Sequence, residues 1–117
     1  NPHVVFFVDN IEDYDLKKIG PEIENHNYFP EKCNVTLAKV ISKKLIKVKV
    51  WERGAGLTKA CGTAACATAV AANINGLTDK KTDIEFALGK LSITIDHNNS
   101  IHMKGPVSDI TNIEINI

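Results

Sequence analysis

Residues 61–75 read C-G-T-A-A-C-A-T-A-V-A-A-N-I-N. The run is helical by composition, and Gly76 suits its C-terminal stop. It has no charged face, and a helix of that kind is normally buried. Its alanines let neighbouring strands approach the axis closely, so the rest of the chain must supply a sheet to cover it. Strand-like segments occur on both sides. His3–Val8 is a short apolar run, and Val35–Ala38 and Ile46–Trp51 alternate with a period of two around a turn at Ser42-Lys43-Lys44. Residues 83–88, 91–95, 101–104 and 113–117 follow, separated by Gly89-Lys90 and by His97-Asn98-Asn99-Ser100. Asp15 caps a short helix to Ile19 that Gly20-Pro21 ends or kinks, and 21–26 forms a further helical turn. The expected architecture is α+β, with an antiparallel, barrel-like sheet wrapped around one central alanine-rich helix, and residues 1–117 form one domain.

Composition removes several function classes. Fourteen basic and 14 acidic residues leave no net charge, hence no electrostatic footprint for nucleic acid or an anionic membrane. No apolar run reaches the ~18 residues of a membrane span. The three cysteines, Cys33, Cys61 and Cys66, have no CxxC spacing. This argues for reduced cytoplasmic thiols, without a disulfide framework or a metal site. The chain opens on Asn1 and runs at once into a strand, as expected of a piece of a longer protein.

The chemistry concentrates in Trp51–Ala67, W-E-R-G-A-G-L-T-K-A-C-G-T-A-A-C-A. Cys61 stands at or just before the first helical turn, where free amides and the positive end of the helix dipole favour a thiolate. The amides of Gly62 and Thr63 are free to bind an anion such as a carboxylate. Glu52 and Arg53 end a strand beside a glycine-rich turn, suited to the charged groups of a zwitterion. Each feature has a plainer reading. A cysteine among alanines is ordinarily a small core residue, and Glu52-Arg53 is equally well a solvated pair at a strand end. Cys66 lies five residues on, about 140° around the helix, and reads as core. By strand parity Glu52 shares a face with Val50, whereas Arg53 shares one with Trp51.

The block closely resembles the signature of diaminopimelate epimerases, W-E-R-G-x-G-x-T-x-A-C-G-T-x-A-C-A. Asn1-Pro2-His3, Phe29-Pro30 with Asn34-Val35, and Gly105-Pro106 resemble further segments of that family, so the likeness spans nearly the whole chain. The resemblance implies a pyridoxal-independent epimerase that uses no cofactor and inverts one α-carbon of diaminopimelate with two cysteines, one from each of two similar domains. It makes Cys61 the acid/base of this half, and gives substrate contacts to Asn1, Asn34, Glu52, Arg53, Gly62 and Thr63, with His3 in support. Arg53 would meet the distal carboxylate. The implied partners are diaminopimelate, the other domain of the same enzyme and a second copy in a homodimer, in the cytoplasm.

Leu57, Lys59 and Ala64 depart from the family's usual residues without removing a proposed reacting atom. The second cysteine motif, C-G-N, is absent, and Cys33 does not match it. The chain is thus expected to be one half of an enzyme, inactive alone. Proline racemases share the two-thiol logic, but the W-E-R-G-A-G run favours the epimerases. A non-catalytic amino-acid-binding or structural domain would need none of Asn1, Asn34, Glu52, Arg53 and Cys61.

Overall fold

The structure is a computed structural model. It describes residues 3–27, 33–52, 56–58, 61–87, 89–105 and 112–116, with 56–58 and 112–116 given by their backbone. Strand β1 (His3–Phe7) leads through a 3-10 turn (Ile11–Asp13) to helix α1 (Leu16–Glu24). Strands β2 (Asn34–Ser42), β3 (Leu45–Glu52) and β4 (Gly56–Thr58) precede helix α2 (Gly62–Ile74). Strands β5 (Lys81–Phe86), β6 (Gly89–Ile95), β7 (Ser100–Lys104) and β8 (Asn112–Asn116) follow. The strands form one sheet in the order β1-β2-β3-β5-β6-β7-β8, with β4 added alongside β3.

The sheet is mixed, not antiparallel throughout. β1 runs parallel to β2, and β3 runs parallel to β5. Parallel neighbours need a crossover, and α1 and α2 are those crossovers. Both step the same way across the sheet, but β3 runs opposite to β2. Right-handed crossovers of opposed strand direction place their helices on opposite faces, and the packing agrees. Leu16 of α1 shares a cluster with Val35 and Leu37 of β2 and with Trp51. The α2 residues Ala64, Ala65, Cys66, Ala69 and Ala72 pack with Ala38, Ile46, Val48, Val50, Ile84, Ile93 and Ile101.

The expected wrapping is therefore corrected. β1 and β8 end the sheet and do not pair with each other among the described residues, so no barrel closes. The helix is covered on one side only. Ala64, Ala65, Cys66, Thr68, Ala69 and Ala72 are buried, while Ala67, Val70 and Ala71 are half-buried and Ile74 is 77% exposed. Gly20-Pro21 does not end the first helix, which continues to Glu24 with Pro21 inside it. The turn expected at Gly54-Ala55-Gly56 is partly a strand, because Gly56–Thr58 pairs back on Val50–Glu52. The Asp15 cap, the β2–β3 hairpin and the stop at Gly76, whose φ is +72°, form as expected.

A tie across the α1 face fixes the end of β3. The Trp51 indole lies against Gly20, where a Cβ would strike the ring. Its Nε1–H donates to Glu24 Oε1 at 3.3 Å. At the far end of the sheet, Asp96 organises the turn between β6 and β7. It accepts from the amides of Asn98 (2.8 Å) and Ser100 (3.0 Å) and pairs with His102 Nε2 (2.8 Å). The His102 and Ser100 hydrogen bonds hold its carboxyl down at about 2.

Two predictions follow from these contacts. Gly20→Ala forces a methyl into Trp51, an overpacking cost of about 1–3 kcal/mol, and a Cβ before Pro21 is itself disfavoured in a helix. A net loss in urea unfolding is expected, and it should shrink in a Trp51→Ala background. Because the folded carboxyl of Asp96 titrates below its ordinary value, its contribution is complete above pH ~4 and is lost as pH falls through about 2. Asp96→Asn should remove that part of the acid-induced loss, read by circular dichroism.

Candidate active site at one end of the sheet

The register gathers the predicted residues at one end of the sheet. His3 pairs with Asn34, and Val35 with Trp51, so β1 and β2 start where β3 ends. β5 runs parallel to the first half of β3, with Leu45 beside Asp83 and Lys47 beside Glu85, and β7 pairs with the second half of β6, from Ser92 with Lys104 to Ile95 with Ile101. Parity selects the face. Val5 and Phe7 pack on the α2 side, as do Ala38 and Val50. His3, Asn34 and Glu52 share parity with these residues and so occupy the α2 face at that end. α2 packs on this same face, and its start lies over β7, where Gly62 meets Met103.

Cys61 is the N-cap of α2, with extended backbone (φ −148°, ψ 109°) and no side-chain capping bond. Its carbonyl accepts the first bond of the helix, from Ala65 N–H at 3.0 Å. The amides of Gly62, Thr63 and Ala64 precede that bond and point out of the helix end, as an anion site requires. The half-buried Cys61 Sγ lies 3.4 Å from Thr63 Oγ1, on an exposed side chain.

Asn34 is buried at 5% exposure, and Glu52 and His3 are half-buried. His3 Nδ1 is buried without a hydrogen-bond partner among the described residues. Burial is the main cause pushing the His3 ring below the ordinary imidazole value, and the nearby Glu52 charge opposes it. An imidazole beside a carboxylate is suited to passing a proton.

Cys66 is buried at 4% exposure, as its reading as core requires. Burial pushes its thiol up, and Cys61 adds to the effect. Cys33 is fully buried and also pushed up, by burial first and then by Glu24. His26 and His97 are exposed, and His102 in β7 pairs with Asp96. Asn1, Arg53 and Lys59 lie outside the described residues, and Leu57 is given by its backbone. Ala64 is core, 1% exposed. Among the described residues no group of His, Cys, Asp and Glu is placed to hold a metal, and no helix is long and apolar enough to cross a membrane. Sequence reasoning missed Met103 and the Trp51–Glu24 tie. The parity of Ile101 and Met103, opposite a glycine at a helix start, was the available signal for the first.

The family model for diaminopimelate epimerase matches residues 1–110. The chain belongs to the diaminopimelate epimerase family. It is 78% identical over all its 117 residues to the diaminopimelate epimerase of Pelagibacter ubique and covers 43% of that protein. It is 50% identical over 107 residues to the diaminopimelate epimerase of Bartonella quintana, covering 91% of this chain and 38% of that one. The chain thus spans about two fifths of the length of these relatives. Among solved structures, a PhzF-family phenazine biosynthesis protein of Bacillus anthracis matches 86% of this chain and 33% of that chain, with TM-score 0.57 and 16% identity. That likeness shows the fold.

Because the Glu52 charge raises the His3 value that burial lowers, Glu52→Gln should move the His3 titration midpoint further down. An NMR pH titration of the imidazole reads this. An unmoved midpoint would mean that the two do not interact.

Proposed function

We propose that this chain is the C-terminal half of a cofactor-independent diaminopimelate epimerase that interconverts the LL and meso forms in the cytoplasm, for lysine and peptidoglycan synthesis. One observation carries the reading. A cysteine caps the start of α2, and Asn34, Glu52 and His3 share one end of the sheet on the face against which α2 packs. The family membership supplies the substrate.

In this reading a thiolate on one side of the α-carbon takes its proton, and a thiol on the other side delivers one to the opposite face. One C–H bond breaks, one forms, and the two sulfurs exchange protonation states, so the reverse reaction needs no further group. Cys61 is one of the two. The amides of Gly62 and Thr63 hold the α-carboxylate, where negative charge develops as the proton leaves. Asn1, Asn34 and Glu52 contact the amino acid end, and Arg53 takes the distal carboxylate. His3 acts with Glu52 as a buried proton partner beside the thiol. The second thiol belongs to the other domain of the same polypeptide, so this chain alone turns over no substrate. The assembled enzyme works as a homodimer without a membrane or nucleic-acid partner.

The test is solvent deuterium entering the α-carbon of diaminopimelate, catalysed by the full-length enzyme. Cys61→Ala should abolish exchange. Cys66→Ala should keep most of it while costing a few kcal/mol at most of stability for a small buried side chain. Equal loss from both substitutions assigns the reacting thiol wrongly, and no exchange by the unsubstituted enzyme removes the epimerase reading.

A further inference from the structure

We propose that Met103 is a positioning residue for the Cys61 thiol, acting through the first turn of α2. The proposal rests on the reading of Cys61 and the Gly62 and Thr63 amides given above.

Met103 is the penultimate residue of β7. Ile101, two residues earlier on the same face, is 3% exposed in the core beneath α2. Parity therefore keeps Met103 on the α2 face, beside Ile93 of β6 and beneath the start of the helix. Its thioether lies over Gly62. A Cβ built on that glycine would stand 2.8 Å from Met103 Cε and 3.1 Å from Sδ. Met103 and Cys61 are both half-buried against the same core cluster. One side chain from the sheet thus fills the volume beside the two residues that present the sulfur and the first free amide.

The space beside a helix start is irregular, and an unbranched, flexible thioether fills it well. Filling it has two effects. The first turn cannot settle toward the sheet, so the Cys61 carbonyl keeps its bond to Ala65 N–H at 3.0 Å and the Gly62 amide keeps its direction. Water is also kept from the sheet side of the amides, and donors aimed at developing charge act more strongly in a drier site. Gly62 permits the seat. An alanine there would push the flexible end of Met103 aside, at little cost to the fold but with loss of the contact. Gly62→Ala and Met103→Ala thus disturb the same contact, and their effects should not add.

The test uses the full-length enzyme with Met103→Ala, Met103→Leu, Gly62→Ala and the double variant Met103→Ala/Gly62→Ala. It follows kcat and KM for α-hydrogen exchange, the melting temperature, and hydrogen exchange at the Ala65 amide. Met103→Ala should lower kcat about tenfold or more, with KM changed less than about threefold. Met103→Leu, which keeps an apolar filler, should stay within about threefold of the unsubstituted enzyme. Ala65 protection should fall about tenfold in Met103→Ala while the remainder of α2 stays protected. Three results would overturn the proposal: a lowered melting temperature with kcat and Ala65 protection unchanged, Met103→Leu as impaired as Met103→Ala, or additive losses in the double variant. If the unsubstituted enzyme exchanges no α-hydrogen, the reaction reading fails by itself, and Ala65 protection still decides whether Met103 holds the turn.

Discussion

The close seating of α2 on the sheet governs the other features. Ala64, Ala65, Ala69 and Ala72 present almost no side-chain depth, so Ile46, Val50, Ile84 and Ile93 meet the helix near its backbone. A larger residue at any of these positions would lift the axis, and interiors packed at crystal-like density tolerate such changes poorly. The cap of α2 carries the thiol, so the depth at which the helix sits sets where the sulfur stands relative to Asn34 and Glu52. Packing and chemistry are coupled through the absence of side chains.

The local elements were largely legible in the sequence. Period-two alternation marked β2 and β3, Asp15 marked a cap, and Gly76 marked a stop. What could not be read was pairing. Alternation tells which residues share a face but not which strand lies alongside. The parallel pairs β1–β2 and β3–β5 therefore escaped, and with them the opposite-face placement of the two helices. Pro21 marked either an end or a kink, with a further helical turn after it, and the two turns form one helix. A proline removes one helical bond, but the apolar side of α1 against Val35, Leu37 and Trp51 holds the helix through it. The three-residue β4 was hidden by its glycine, which reads as turn chemistry until a neighbouring strand supplies partners.

The candidate site was legible in its identities more than in its assembly. The helix-start position of Cys61 and the buried character of Cys66 followed from spacing and composition alone. That His3, Asn34 and Glu52 share one face follows from parity only after the register is known. Trp51 illustrates the rule. By packing on Gly20 and bonding Glu24 on one side of the sheet, it commits the next residue, Glu52, to the other side.

The register that collects these residues also has a kinetic meaning. His3, Asn34 and Glu52 meet through strand pairings of long sequence separation, and Gly62 beside Cys61 meets Met103 across another 40 residues. Such contacts form late, after loop-closure entropy has been overcome. The helix itself can form early from local preference, but its capping cysteine then faces solvent without neighbours. The arrangement around the thiol is thus a marker of completed folding, and a chain that stalls with α2 formed and β1 or β7 undocked presents Cys61 without Met103 seated on the turn beside it.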